Sequence, residues 1–346
     1  MSPIHTDHLE LEPAVVSDRP RVSVVVPCYN EQDVLHELHR RLSAVVDEQE
    51  GTAEIVLVND GSKDATWELM TELAASDPRL VCVNLSRNHG HQLALTAGLH
   101  ICRGERIFVI DADLQDPPEL LSQMMARIDA GADVVYGKRR QREGESAFKL
   151  ITAASFYRII DWMSDTQIPH DAGDFRLMTR RALDVVLDMP ERHRFIRGMV
   201  SWIGFNQEPF LYDRDARFAG QTKYPLRKMI GLAKDAITAF SVKPLTFAST
   251  FGLIAMGIAV LTVGYAVISY FFFSTEPGWA SVMSVVAFFG GVQLLVLGVI
   301  GEYLGRLYEQ AKGRPLFVID RVHRTGGSGP PPRAGAVRTR ATTADV

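Results

Sequence analysis

The chain has little cysteine: three residues, Cys28, Cys82 and Cys102, in 346. Their spacing suits neither a disulfide framework nor a zinc site, so buried thiols in a reduced environment are expected. It also lacks an excess of positive charge. Its 37 lysines and arginines face 41 acids for a formal net charge of −4, which excludes a general nucleic-acid binder. Residues 1–20 carry no apolar run of the secretory type, so a flexible N-terminal tail is expected there rather than a signal peptide. Two glycine signatures are missing. Neither G-x-G-x-x-G nor a Walker loop follows the first apolar segment, VSVVVPCYNE, which argues against a dinucleotide fold and a P-loop NTPase. What is present is core material: 47% of the residues are hydrophobic and 23% charged, outside the range of disordered chains.

That hydrophobicity is unevenly spread. Residues 246–273 and 280–301 carry no charge, and each run exceeds the roughly 20 residues that cross a bilayer. Gly252, Gly257, Gly290 and Gly291 would be costly in soluble helices but are ordinary in membrane ones. Lys223, Arg227, Lys228, Lys234 and Lys243 precede the pair of runs, and Arg306, Lys312, Arg314 and Arg321 follow it. The short connection from Ser274 to Trp279 has no cation, so the positive-inside rule predicts a cytoplasmic-membrane hairpin with both termini and the soluble domain in the cytoplasm. Tyr270, Trp279 and Tyr303 fall where an interfacial aromatic belt belongs. Residues 223–245 mix apolar residues with cations and are expected to form an amphipathic juxtamembrane helix. The predicted organisation is completed by the hairpin at 246–301, a cytoplasmic juxtamembrane segment at 302–321, and a Gly/Pro-rich tail at 322–346 expected to be disordered.

Within the remaining segment, 21–222, short apolar runs at 22–27, 54–60, 80–85, 106–111 and 133–137 alternate with helical patterns at 31–49, 64–76, 90–103 and 117–130. Continuous apolar strands separated by helices predict an α/β fold with a mostly parallel sheet covered on both faces. Ligands of such sheets bind at the carboxyl ends of the strands. The second strand ends in Asn59-Asp60-Gly61-Ser62-Lys63-Asp64, with Gly61 at the turn and Asp64 suited to capping the next helix. The fourth ends in Asp111-Ala112-Asp113-Leu114-Gln115-Asp116-Pro117. If extended geometry continues, Asp111, Asp113 and Gln115 share one side, and their hard oxygen atoms suit Mg²⁺ or Mn²⁺. Asp116 before Pro117 reads as a helix cap. Residues 138–149, KRRQREGESAFK, form a basic patch in an acidic chain, which suggests an anionic partner; Arg139 and Lys149 are its best phosphate ligands. His89 and His91 flank Gly90 at a helix start, where capping and packing are the expected roles.

VVVPCYNE, VNDGSKDAT, NHGHQLALTAG, DADLQDPPEL, AGDFRLMTR and RFAGQTKY, in this order, resemble the family-2 glycosyltransferases of the GT-A fold. Within them the likeness is to the polyprenyl-phosphate sugar transferases, of the dolichol-phosphate mannose synthase and bactoprenol glucosyltransferase type. The resemblance implies that Pro27, Tyr29, Glu31 and Asp60 hold the nucleobase and ribose, and that Asp111 and Ala112 line the nucleotide floor. It implies that Asp113 and Gln115, with Asp111, are metal ligands and that Arg217 and Lys223 reach the donor diphosphate, Thr222 standing where the family often has Ser. Arg139 would contact the acceptor phosphate. Asp174, with Arg176, would lie near the reacting groups, and two roles stay open for it: general base, or orientation of Arg176 and the sugar. A lipid monophosphate is already largely ionised near neutral pH, which favours orientation. The implied reaction is an inverting transfer of a hexose, glucose from UDP-glucose, to the phosphate of a polyprenyl phosphate, aided by Mg²⁺ or Mn²⁺. GDP-mannose as donor, or a non-catalytic nucleotide-sugar sensor or scaffold, are the alternatives. The implied partners are the nucleotide sugar, the polyprenyl phosphate, membrane lipids and further copies of the chain, with no nucleic acid.

Overall fold

The computed structural model describes residues 19–140, 169, 172–214, 243–272 and 278–324. Strands β1 (Val22–Cys28), β2 (Ala53–Asn59), β3 (Leu80–Leu85) and β4 (Arg106–Val109) are the predicted apolar runs, and nearly every residue in them is buried. Helices α1 (Leu35–Asp47), α2 (Thr66–Ser76) and α3 (His91–Ile101) connect them, and α4 (Leu121–Asp129) follows a 3₁₀ turn at Pro118–Leu120. In α1, Leu35, Leu38, Leu42, Val45 and Val46 recur at helical spacing and form its buried stripe. β1 pairs in parallel with β2 and β4, and β2 with β3.

The eight-stranded sheet runs β7-β5-β6-β4-β1-β2-β3-β8. β5 (Val134–Arg139) was expected; β6 (Ala172–Thr179), β7 (Gln207–Tyr212) and β8 (Ile319–Arg324) were not. β6 lies antiparallel between β4 and β5, so its first residues sit at the carboxyl ends of both neighbours. Strand alternation sends Val22, Val24 and Val26 into one core layer with α1, α2 and α4. Val25, Val56 and Val58 enter the other, under α3, α5 (Arg180–Asp188) and α6 (Ile196–Trp202). Cys28, Cys82 and Cys102 are buried free thiols; burial pushes the Cys82 thiol up to about 12 and that of Cys102 to about 11.

Two long helices follow, α7 (Lys243–Phe272) and α8 (Trp279–Ala311). Both are long and apolar enough to cross a membrane, with mean hydropathies of 1.9 and 1.5 over candidate spans Lys243–Tyr265 and Phe288–Ala311. Leu253, Val260, Leu261, Leu294 and Leu295 are all more than 60% exposed, a surface that water would penalise and lipid would not.

Residues 322–324, predicted as the start of the disordered tail, instead form with residues 319–321 a strand that pairs antiparallel with β3 and covers its edge. Residues 243–245 begin α7 rather than end a separate helix, while the remainder of the predicted amphipathic helix lies outside the described residues, as do residues 325–346 of the tail, residues 1–18 and the side chains of Tyr270 and Trp279.

Candidate active site

The rim formed by the carboxyl ends of β1, β2, β4, β5 and β7 and the start of β6 gathers most of the chemistry. β4 stops at Val109, and the backbone turns through Ala112-Asp113, with Leu114 at φ 57°. Strand alternation therefore does not carry Asp111, Asp113 and Gln115 to one side; a turn with a left-handed residue presents them instead. Asp113 Oδ1 accepts from the Gln115 N–H at 3.2 Å, and Oδ2 lies 3.6 Å from Arg214 Nη2. Asp116 does not cap the following helix. It is buried, and its Oδ1 accepts from the Tyr212 hydroxyl at 2.6 Å and from Arg214 Nε at 3.0 Å.

Asp174, 1% exposed, is the centre of the charge network. Oδ2 accepts from Gln92 Nε2 at 3.0 Å and lies 3.0 Å from His91 Nε2; Oδ1 accepts from Arg197 Nε at 3.0 Å. Arg176, itself buried, lies 3.8 Å from Oδ1 and donates to the carbonyls of Gly173 and Asp174. Burial would raise the Asp174 carboxyl, but Arg197, His91 and Arg176 together hold it well below the usual carboxylate range. Burial likewise opposes the His91 cation, yet Asp174 and Asp111 outweigh it and the imidazole rises to about 9. Burial pulls the Arg176 guanidinium down to about 10. Asp111 is 3.6 Å from His91, and burial raises its carboxyl to about 6, with Asp174, Asp116 and Asp113 adding to the rise against His91.

The other predicted residues that the structure describes lie at or just beyond the carboxyl ends of β1, β2, β4 and β5. Pro27 is buried in β1, and Tyr29, just beyond it, is 38% exposed. Glu31 is partly buried and its N–H donates to Thr66 Oγ1 at 2.9 Å, one of several bonds lacing the loop after β1 to the loop after β2. Asp64 accepts from the Thr66 N–H and hydroxyl, as a residue at a helix start should. Asp60 accepts from the His89 and Gly90 amides at 2.7 and 2.9 Å, and burial raises its carboxyl. Both its oxygens thus hold the loop before α3. Gly61 is required beside it, since φ is +61° and a Cβ would lie 2.5 Å from the Arg87 and Asn88 backbone. Ala112 is buried. Arg139, at the end of β5, opposes the burial that raises the Tyr212 phenol, and its buried Nε has no hydrogen-bond partner. Lys149, Arg217 and Lys223 lie outside the described residues.

The donor set fits a divalent cation. Asp111 Oδ1 is buried without a hydrogen-bond partner, burial and the neighbouring acids raise its carboxyl despite His91, and Asp113 adjoins it on the same turn. Among the described residues, His91, Asp111 and Asp174 also offer ligand atoms within 4.8 Å of one another. Three hydrogen-bonding side chains already engage Asp174, whereas Asp111 Oδ1 accepts no hydrogen bond.

Sequence reasoning missed the roles of His91, Gln92, Arg197 and Arg214. His91 and Gln92 stand in the quoted NHGHQLALTAG motif, where the local pattern offers capping and packing for the histidine and hides the distant carboxylate; Arg197 and Arg214 carry no local pattern.

The family model described as Glycosyl transferase family 2 matches residues 23–187. The chain is 48% identical over 302 residues to the uncharacterized glycosyltransferase YkcC of Bacillus subtilis (strain 168), covering 87% of this chain and 94% of that one. It is 37% identical over 303 residues to the prophage bactoprenol glucosyl transferase homolog of Escherichia coli (strain K12), covering 87% and 99%. Among solved structures, glucosyl-3-phosphoglycerate synthase from Mycobacterium tuberculosis, crystallised with Mn²⁺, UDP and phosphoglyceric acid, aligns with a TM-score of 0.42 at 19% identity, covering 63% of this chain and 76% of that one.

Proposed function

Because the chain belongs to glycosyl transferase family 2, we propose that it transfers glucose from UDP-glucose to the phosphate of a polyprenyl phosphate at the cytoplasmic face of a membrane. The observation that carries the acceptor is the extent of the match to bactoprenol glucosyl transferases. An alignment of 303 residues covering 99% of such a relative is longer than the sheet domain and must run into the apolar helices. An acceptor whose tail stays in the bilayer explains why a sugar-transferring sheet carries two membrane-length helices.

In the proposed reaction an oxygen of the lipid phosphate attacks the anomeric carbon, the bond from that carbon to the nucleoside diphosphate breaks, and the electron pair leaves with the diphosphate. A single in-line displacement inverts the centre and gives a β-linked product. Asp111, Asp113 and Gln115 are the proposed ligands of Mg²⁺ or Mn²⁺, which supplies positive charge against the leaving diphosphate. Pro27, Tyr29, Glu31 and Ala112 line the donor nucleotide, and Arg217 and Lys223 reach its phosphates. Asp60 acts on that site by holding the amides of His89 and Gly90. Arg139 and Lys149 meet the acceptor phosphate. Asp174 is read as an orienting group rather than a base, because both oxygens are engaged and its carboxyl is held ionised and weakly basic. Its contacts fix Arg176, Arg197 and His91 at the rim.

The domain reading proposed is a transferase domain over 21–222, helices spanning the membrane once each, and both termini cytoplasmic, in a homo-oligomer. The test is transfer by the full chain in nanodiscs containing polyprenyl phosphate, from labelled UDP-glucose and GDP-mannose in parallel, with and without EDTA. UDP-glucose alone is expected to label the lipid, and EDTA to stop it. Labelling from GDP-mannose and none from UDP-glucose would overturn the donor; undiminished transfer in EDTA would overturn the metal.

A further inference from the structure

α8 does not end at the limit of its apolar run. Its 33 residues extend about 50 Å, longer than the roughly 30 Å hydrocarbon core, and its last turns carry Glu302, Arg306 and Glu309. That polar end meets the loop between α5 and α6. Gln310 clasps it by the backbone, donating from Nε2 to the Pro190 carbonyl at 2.6 Å and accepting at Oε1 from Arg192 N at 3.2 Å. Glu309 lies 2.9 Å from His193 Nε2, and the Arg192 guanidinium donates to the Arg314 carbonyl. Two residues past α8, Gly313 at φ +58° reverses the chain. Val318 then accepts from Ser86 N at 2.9 Å, Phe317 stacks obliquely on His100, and β8 joins the sheet.

The loop that α8 grips leads straight to the charge centre. Arg194, buried, ties it to the Val186 and Met189 carbonyls. Ile196 N donates to Gln92 Oε1 at 2.9 Å, and α6 then presents Arg197 to Asp174. Among the described residues, hydrogen bonds thus link the membrane-length helix to the candidate active site step by step along this path.

We propose that the contact of Glu309 and Gln310 with residues 190–193, together with β8, is a strut that fixes the height and tilt of the active-site rim relative to the bilayer. His193 and Gln310 are then positioning residues for the lipid acceptor. The inference rests on the polyprenyl-phosphate reading above. A head group confined to a membrane plane can meet the donor only if the rim is held at that plane, whereas a soluble donor reaches the rim in any orientation. The strut therefore acts on acceptor encounter and not on the donor. His193 and Glu309 are 42% and 56% exposed, so their pairing contributes little to folding and can be removed with the sheet intact.

The test compares the native chain with His193→Ala/Gln310→Ala in nanodiscs. The acceptor KM is expected to rise roughly tenfold for long-chain polyprenyl phosphate, a scale in keeping with the cost of misplaced reactants. The KM for UDP-glucose stays unchanged, and so does the rate on a short-chain acceptor dispersed in detergent. The charge exchange His193→Glu with Glu309→His restores the acceptor KM that His193→Ala alone raises. A second readout needs no activity. Because the native cysteines are buried, nitroxides can be placed at Ala75→Cys and Leu307→Cys, and the distance distribution between them should broaden in the variant. An unchanged distribution, or equal losses on both acceptors, overturns the strut. If the native chain transfers glucose to neither acceptor, the functional reading has failed, and the distance distribution alone decides the strut.

Discussion

Replacing Asp174 by Asn changes one oxygen to a nitrogen at the most constrained point of the site, and the structure sets the cost. Whichever way the amide is placed, its oxygen can face only one of two groups: Arg197 Nε on one side, or His91 Nε2 and Gln92 Nε2 on the other. With the oxygen toward Arg197, the new NH₂ points at the Gln92 amide donor and at His91. Gln92 cannot answer by flipping its own amide, because its Oε1 already accepts from Ile196 N. The charge loss adds to this. Arg176, 3% exposed, and Arg197 and His91 beside it lose their common counter-ion. Breaking a buried ion pair by removing one partner costs about 3–5 kcal/mol. For a domain of this size that corresponds to a fall of roughly 10 °C in the melting temperature. The assay is thermal unfolding of the full chain in detergent, paired with NMR titration of the His91 ring. Its pKa is expected to fall from about 9 toward the ordinary value near 6.5 once the carboxylate is gone. Arg197→Gln in the Asp174→Asn background should recover part of the loss, since it removes one of the stranded cations. A melting temperature within about 2 °C of the native chain, or a His91 pKa still near 9, would refute the reasoning.

Two further outcomes follow from the same geometry. Gly61→Ala should destabilise the domain by about 2 kcal/mol or more and weaken nucleotide binding, measured by thermal unfolding and calorimetry, because a Cβ is both strained at φ +61° and pressed on the Arg87–Asn88 backbone. His91 has a raised folded pKa, so its contribution to stability is fully present below the unfolded value near 6.5 and is lost as pH rises through about 9; in EDTA, the melting-temperature gap between the native chain and His91→Gln should close between pH 7 and 10, and a gap independent of pH would contradict the pairing.

The rim was readable where local pattern controls it. Asp60-Gly61 announces a strand tip and tight turn, and both residues hold those places. The acids of Asp111–Asp116 were readable as a cluster, but not their directions, because Leu114 takes a left-handed conformation and breaks the alternation on which a shared side depended. Asp116 reads as a cap in a window of a few residues. Only the closing of β7 beside β5 brings Tyr212, 96 residues away, to its oxygen. His91 failed for the same reason, since its carboxylate partner is 83 residues distant.

The amino-acid order alone determined the first five strands, the helices between them, the buried cysteines and the two membrane-length helices. Each of these follows from hydrophobic period, run length or turn chemistry within a short stretch of chain. The tertiary structure decided the insertion of antiparallel β6 between β4 and β5, the return of residues 319–324 to the sheet beside β3, and the convergence of His91, Asp111, Asp174, Arg176 and Arg197. These depend on register and burial between distant segments, and a buried charge acquires its partner, and its pKa, only when the whole sheet closes around it.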